Sequence, residues 1–396
     1  MSVETRETTL PSSSPAIARV EAHVLRWPVR VPVRTSFGTM HDRPAVLVRV
    51  EDADGAHGWG EAWCNFPSCG AEHRARLIES VLAPLLVGRA FATPRAAWSA
   101  LTSQTAVLAL QSGEPGPIAQ AIAGVDIALH DLAARRAGRP LWRQLGHAAA
   151  RGMAADGNVA TVPVYASGIN PDQPGETVAA LRAAGYTAFK LKVGFGTERD
   201  VENLSALRAA AGADATVMVD ANQAWDLDTA IAMAGRLAFA RPEWLEEPLR
   251  ADRPWSEWQR LARSTAMALA AGENVIGTAR FDALIASGAV RVVQPDLAKW
   301  GGVSGVLEVA RQIDAAGLRY CPHYLGAGIG LLASAHVLVA SASAGLLEVD
   351  SNENPLRDQL CPPLARLHQG TIALDEAPGL GVEPDLRALR SLCVAA

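Results

Sequence analysis

From residue 162 to residue 349, short apolar runs alternate with longer stretches whose apolar residues return at helical spacing. The runs at 162–166, 188–193, 216–220, 244–247, 267–273, 290–295, 319–323 and 345–349 have the length and the boundaries of strands. Ala- and Leu-rich stretches such as 177–184, 229–238 and 306–316 read as the helices between them. The runs are continuously apolar rather than alternating, as expected of parallel strands covered on both faces. Eight strands joined by seven helices predict a (β/α)7β barrel over 151–350.

Ahead of this repeat the period differs. Segments 20–27, 45–50 and 58–61, with a polar turn at 52–55, read as an antiparallel meander. Helical spacing then takes over at 71–87, 94–110 and 117–137, so an α+β domain is expected over 17–150. Past residue 350 the alternation stops, and the Pro-rich segment 351–396 is expected to pack back on the first domain. Residues 1–16, rich in Ser, Thr, Pro and Glu without a basic or apolar leader region, read as a disordered tail.

Composition narrows the function classes. A chain of 396 residues with 49% apolar residues has room for about two to three domains and a large core. A formal net charge of −5 without any long like-charge block offers no footprint for nucleic acid. No apolar run reaches the roughly 18 residues that a membrane span needs. The cysteines, Cys64, Cys69, Cys321, Cys361 and Cys393, are odd in number and scattered. They read as reduced thiols, which makes the cytoplasm the expected location.

Chemistry enters at the strand ends. Lys192, Asp220, Glu246, Glu273, Asp296, His323 and Glu348 follow one another at gaps of 28, 26, 27, 23, 27 and 25 residues. That is the pitch of one strand plus one helix, so these groups can converge on one rim of a barrel. Lys190 and Lys192 share a strand face, and two neighbouring, desolvated ammonium groups are expected to lower one another's pKa toward a usable base. Asp220 and Asn222 also share a face. Of Glu246 and Glu247, on opposite faces, only one is expected to join the site. Three carboxylates suit Mg²⁺, with coordination positions left for water or substrate. Each acid alone reads more readily as a helix cap or a surface group, but equal pitch unites them. Asp296 and His323 end consecutive strands, so the carboxylate can fix one ring nitrogen and leave the other to move a proton. Glu348 reads either as a protonated acid donating to a substrate oxygen or as a cap.

The motifs Lys-x-Lys at 190–192, Val-Asp-Ala-Asn-Gln, Leu-Glu-Glu-Pro and Gly-Glu-Asn, together with the Asp296 and His323 pair, resemble those of the enolase superfamily, in its mandelate racemase subgroup. The resemblance covers nearly the whole chain and implies a modified TIM barrel with an α+β capping domain built from the N-terminal part and the C-terminal tail. It implies that Asp220, Glu246 and Glu273 hold Mg²⁺ and that Lys192 takes the proton next to a substrate carboxylate. Lys190 would lower the pKa of Lys192 and touch that carboxylate. His323, held by Asp296, would act on the opposite face, Glu348 would donate to the enolate oxygen, and Asn222 would contact a substrate hydroxyl. Segments 33–39 and 58–65 resemble the substrate-contacting loops of the capping domain. There Pro32, Val33, Phe37, Met40, Trp63 and Phe66 suggest an apolar lid, and Arg34, His41, Asp42 and Asn65 a polar one. Asp296 stands where the muconate-lactonising and dipeptide-epimerase branches carry a lysine, which disfavours those branches and leaves Lys299 outside the proton-transfer set. The expected activity is dehydration of a sugar acid (an aldonate or aldarate) to a 2-keto-3-deoxy acid, with racemisation of a 2-hydroxy acid as the alternative. A Schiff-base aldolase and a non-catalytic sugar-acid binder are the readings from other classes. A homo-oligomer, from dimer to octamer, is expected from the family.

Overall fold

The computed structural model describes residues 14–34, 38–146, 160–341 and 343–394. Strands β1 (Ile17–Arg34), β2 (Thr39–Asp52) and β3 (His57–Ala62) form the antiparallel meander, with Val24 opposite Val46 and Val48 opposite Gly60. Val46, Val48 and Val50 turn one face of β2 toward the helices, in one apolar core with Ile118, Ala121 and Val125. The helix Pro115–Arg136 lies directly on β3. A Cβ on Gly60 would come within 2.0 Å of the Gly124 carbonyl oxygen, so glycine at 60 is what lets strand and helix touch. The run expected as one helix over 71–87 is helical over Gly70–Leu77 and Ala83–Leu86, joined by a π-helical turn at Ile78–Leu82.

Eight parallel strands follow: β4 (Ala160–Ile169), β5 (Ala188–Lys192), β6 (Thr216–Asp220), β7 (Trp244–Glu246), β8 (Ala268–Ala271), β9 (Val292–Val293), β10 (Arg319–Tyr320) and β11 (Leu347–Asp350). They are hydrogen-bonded in the order β10-β9-β8-β7-β6-β5-β4-β11, a curled parallel sheet with a helix in each of the seven connections. Between β10 and β11 side chains take over from the ladder: Ser343 Oγ accepts from the Tyr320 amide at 2.8 Å, and the Leu346 amide donates to Cys321 Sγ at 3.4 Å. Strands β9 and β10 are shorter than the apolar runs at 290–295 and 319–323. Pro295 and Pro322 have no N–H to offer a ladder, so pairing stops ahead of them.

Inward-facing Tyr165, Ala188, Met218, Trp244, Ala270, Val292 and Cys321 make a small core inside the barrel. The intervening residues, among them Phe189, Leu191, Val217, Val219, Leu245 and Leu269, face the surrounding helices in the main core. The segment after Asp350 touches both parts of the molecule. Its strand β12 (Thr371–Leu374) pairs antiparallel with the first half of β4, while Glu383 accepts from Trp59 Nε1 and Arg135. The disordered-tail expectation falls largely on residues 1–13, outside the described residues. Among the described residues no helix is long and apolar enough to cross a membrane. All five cysteines are free thiols.

Candidate active site

Strand parity aims the charged groups. Lys190 and Lys192 continue the inward face begun by Ala188, Asp220 that of Met218, and Glu246 that of Trp244. Register then aligns them, because Lys192 pairs with Asp220 across β5 and β6, and Asp220 with Glu246 across β6 and β7. Three charged residues thus stand in one row at the strand ends, with Lys190 one layer deeper and only 1% exposed.

Lys190 Nζ touches Glu246 Oε1, lies 2.7 Å from Glu348 Oε1 and 3.5 Å from Asp220 Oδ2. Lys192 Nζ lies 2.7 Å from both Asp220 Oδ2 and Asn222 Oδ1. At the other end His323 Nδ1 is 2.7 Å from Asp296 Oδ2, and its Nε2 is 2.9 Å from Glu273 Oε2. Glu246 Oε2 accepts from Trp244 Nε1 at 3.1 Å and Gln294 Nε2 at 2.6 Å. Glu348 accepts from Ser167 Oγ and, at 3.3 Å, from the Tyr324 amide. Lys190, Lys192, Asp220, Asn222, Glu246, Glu273, Asp296, His323 and Glu348 therefore form one connected network.

Four expectations need correction. Neither lysine ends with a depressed pKa. Burial opposes the charge on Lys190, yet Glu246 and Glu348 outweigh it and hold the ammonium well above the ordinary lysine range. Burial and the charge of Lys190 both oppose the Lys192 ammonium, but Asp220 and Glu273 raise it above the usual value. Second, Glu247 joins the site with Glu246. Its backbone turns to φ +39° just past β7, and both its oxygens accept from Asn274 Nδ2, at 2.9 and 3.0 Å. The same amide reaches Glu273 Oε1 at 3.1 Å. Third, burial disfavours the Glu348 carboxylate, but Lys190 and His323 hold its pKa below the ordinary value, so it stands here as an ionised acceptor. Fourth, two polar lid residues are struts. Asn65 Nδ2 donates to the Leu325 carbonyl at 2.6 Å, and Asp42 pairs with Arg26 at 2.9 Å.

Of the capping residues, Trp63 reaches the site through Lys299, whose Nζ sits 5.0 Å from the indole centroid and 3.2 Å from Glu273 Oε1. Phe66 lies beside Trp63, ring centroids 6.5 Å apart. The buried Trp63 Nε1 has no hydrogen-bond partner among the described residues. Phe37 and the side chain of Arg34 lie outside the described residues. Lys299, Glu247, Asn274, Gln294 and Ser167 are the site residues that the strand-end pattern did not single out.

Electrostatics favour a divalent cation. Six carboxylates (Asp220, Glu246, Glu247, Glu273, Asp296 and Glu348) meet three ammonium groups (Lys190, Lys192 and Lys299) and His323, whose pKa is raised to about 10 because Glu273 and Glu348 outweigh its burial. Even with the imidazole charged, two negative charges are left over. Burial accordingly pushes Glu246 up to about 7 and Glu247 well above the carboxylate range. Among the described residues no three acidic, imidazole or thiol groups are disposed as a closed metal cage, since each acid pairs with a lysine, the histidine or an amide. The donor chemistry nonetheless fits Mg²⁺, an oxygen-seeking ion whose charge would balance the excess.

Comparison with known proteins agrees with this architecture. Residues 18–146 match the model of the mandelate racemase/muconate lactonizing enzyme N-terminal domain, and residues 175–388 that of the enolase C-terminal domain-like family. A crystal structure described as mandelate racemase/muconate lactonizing enzyme from Bordetella bronchiseptica RB50 is 60% identical, with a TM-score of 0.89 over 96% of this chain and 100% of that one. The 3,6-anhydro-alpha-L-galactonate cycloisomerase of Streptomyces coelicolor is 30% identical over 96% of this chain and 99% of its own length. The D-galactonate dehydratase of Verminephrobacter eiseniae is 29% identical over 89% of this chain and 90% of its own. The chain belongs to the enolase superfamily, in its mandelate racemase/muconate lactonizing enzyme family, whose members are lyases and isomerases.

Proposed function

We propose that the protein is a Mg²⁺-dependent sugar-acid dehydratase, which removes the proton α to a substrate carboxylate and expels the β-hydroxyl to give a 2-keto-3-deoxy acid. The observation that carries this reading is the span of the acid cluster, with an amine at its Asp220 end and an Asp-held imidazole at its Glu273 end. Asp220, Glu273 and one or both of Glu246 and Glu247 would hold Mg²⁺, which when bound supplies positive charge against the substrate carboxylate. Lys192 would take the α-proton as the C–H bond breaks once a cation held by Asp220 and Glu273 offsets the carboxylate charge that raises its pKa and lets it stand as the neutral amine. His323, oriented through Nδ1 by Asp296, gives its Nε2 proton to the departing β-oxygen, and water leaves with the C–O bond. The resulting enol becomes the 2-keto acid. Asn222, which accepts from Lys192, and Trp63, whose buried Nε1 has no partner among the described residues, would contact substrate hydroxyls.

The cycloisomerase relative favours a second outcome from the same residues. Where the β-oxygen belongs to a ring, its expulsion opens the ring instead of releasing water. The test is incubation with Mg²⁺ and a panel of aldonic, aldaric and anhydro sugar acids and lactones, followed by assay for 2-keto product with and without EDTA. The proposal expects a sugar acid to give 2-keto acid only with metal. It is wrong if no sugar acid reacts while an aryl or alkyl 2-hydroxy acid exchanges its α-hydrogen in D₂O, which would make the protein a racemase. Turnover that survives EDTA and is trapped by borohydride would instead indicate a Schiff-base lysine.

A further inference from the structure

The loops at the strand ends are anchored in two different ways. On the lysine side the barrel anchors its own. Asp200 accepts from the amides of Gly194 and Phe195, just past Lys192, at 2.8 and 3.1 Å. Asp226 caps the helix Leu227–Leu237 through the Thr229 amide at 2.8 Å, just past Asp220 and Asn222. On the histidine side the two following helices, Gly302–Ala315 and Gly328–Ala340, begin at Gly301 and Ala327, neither of which provides a side-chain cap.

Their caps come from the capping domain. Asp126, on the helix Pro115–Arg136, accepts from the Ser304 amide at 2.9 Å and from Ser304 Oγ at 2.7 Å. Glu61, on β3, accepts from the amides of Ala327 at 2.6 Å and Gly330 at 2.9 Å. Both acids are buried, at 0% and 2% exposure. A Cβ on Gly302 would stand 2.3 Å from Asp126 Oδ2, so the chain is shaped to admit this carboxylate at the helix end. Carboxylates at the first turn satisfy unpaired amides and complement the helix dipole. Each capped helix starts a few residues after a member of the imidazole pair. Asp296 itself folds the intervening turn, accepting from the amides of Ala298 and Lys299 at 2.8 and 3.1 Å.

We propose that Glu61 and Asp126 are positioning residues for the Asp296–His323 pair, so that docking of the capping domain sets the imidazole side of the site while the lysine side is set within the barrel. This rests on the proposed reading only in giving His323 a proton-transfer role. The experiment uses the full chain with Mg²⁺ and compares wild type with Glu61→Gln and Asp126→Asn. Amide hydrogen exchange should accelerate about tenfold or more across 323–332 in Glu61→Gln and across 296–306 in Asp126→Asn, and stay within about twofold across 190–196 and 220–226. The ¹⁵N-histidine spectrum should show the His323 Nδ1–H resonance, identified by its loss in His323→Asn, shifted or broadened in both variants. An unmoved resonance, or acceleration shared equally by the lysine side, overturns the proposal. The two variants act on different loops, so either one, folded, decides. Neither readout involves a substrate, so the result is independent of which reaction the enzyme performs.

Discussion

Arg43 on β2 and Asp350 at the end of β11 form an ion pair in which each side chain is 2% exposed. Removing Arg43 as Arg43→Met leaves the Asp350 carboxylate buried. It still accepts from the Asn352 amide at 3.1 Å and Asn352 Nδ2 at 2.7 Å, and feels the charge of Arg357. Breaking a buried pair costs about 3 to 5 kcal/mol, and the surviving partners place this loss near 3. Asp350→Asn should cost more, near 5 kcal/mol, because Arg43 Nη1 already has no partner among the described residues and the guanidinium would be stranded. The penalties should also part with pH. In wild type, burial disfavours the Asp350 carboxylate but Arg43 holds its pKa below 3.8, so the pair stabilises the fold above that value and stops doing so in acid. Without Arg43 the folded-state pKa rises, the carboxyl can take up a proton, and the deficit of Arg43→Met should shrink between pH 7 and pH 5. Urea unfolding followed by tryptophan fluorescence at both pH values measures this. A loss under about 1 kcal/mol for Arg43→Met, or Asp350→Asn proving the milder change, would refute the reasoning.

Three further outcomes can be checked. Lys192→Ala and His323→Asn should each lower turnover about 10²- to 10⁴-fold while the circular dichroism spectrum shows a folded protein, measured on whichever sugar acid reacts in the panel. Gly60→Ala should destabilise by about 3 kcal/mol in urea unfolding, because its methyl meets the Gly124 carbonyl rather than a movable side chain. His336, buried and accepting from the Trp142 amide at 3.0 Å, has its pKa lowered to about 4 by burial. The unfolded chain takes up that proton first, so stability should fall as pH drops from about 6.5 to 4, by up to roughly 3 kcal/mol from this group; His336→Gln should flatten that slope.

The barrel and its charged row were legible because both depend on local period. The run 216–220 is β6 to the residue, and equal pitch brought Asp220, Glu246, Asp296 and His323 to one rim. What escaped depends on geometry that neighbours in sequence do not encode. Glu247 looked outward by alternation, and one left-handed residue past the strand end reversed that. The Lys190 and Lys192 charges looked mutually depressing because their countercharges, on β6, β7 and β11, are 28 to 158 residues away. Pro295 and Pro322 were visible in the sequence, and reading them as ladder stops would have given the short β9 and β10. The caps Glu61 and Asp126 lie 266 and 178 residues from the amides they serve, and nothing near Ala327 or Gly301 announces them.

Strand β4 pairs with β11 along Val164 to Ser167 and with β12 along Ala160 to Pro163. On the ribosome the first part of β4 emerges some 200 residues before β12, a wait of about 10 to 40 s at ordinary elongation rates. Throughout that interval the backbone donors and acceptors that β12 later covers are open to any other chain in extended form. Crowded polysomes, rather than the finished enzyme, are therefore where this fold is most exposed to mispairing, and slowing translation downstream of residue 169 should lower the soluble yield.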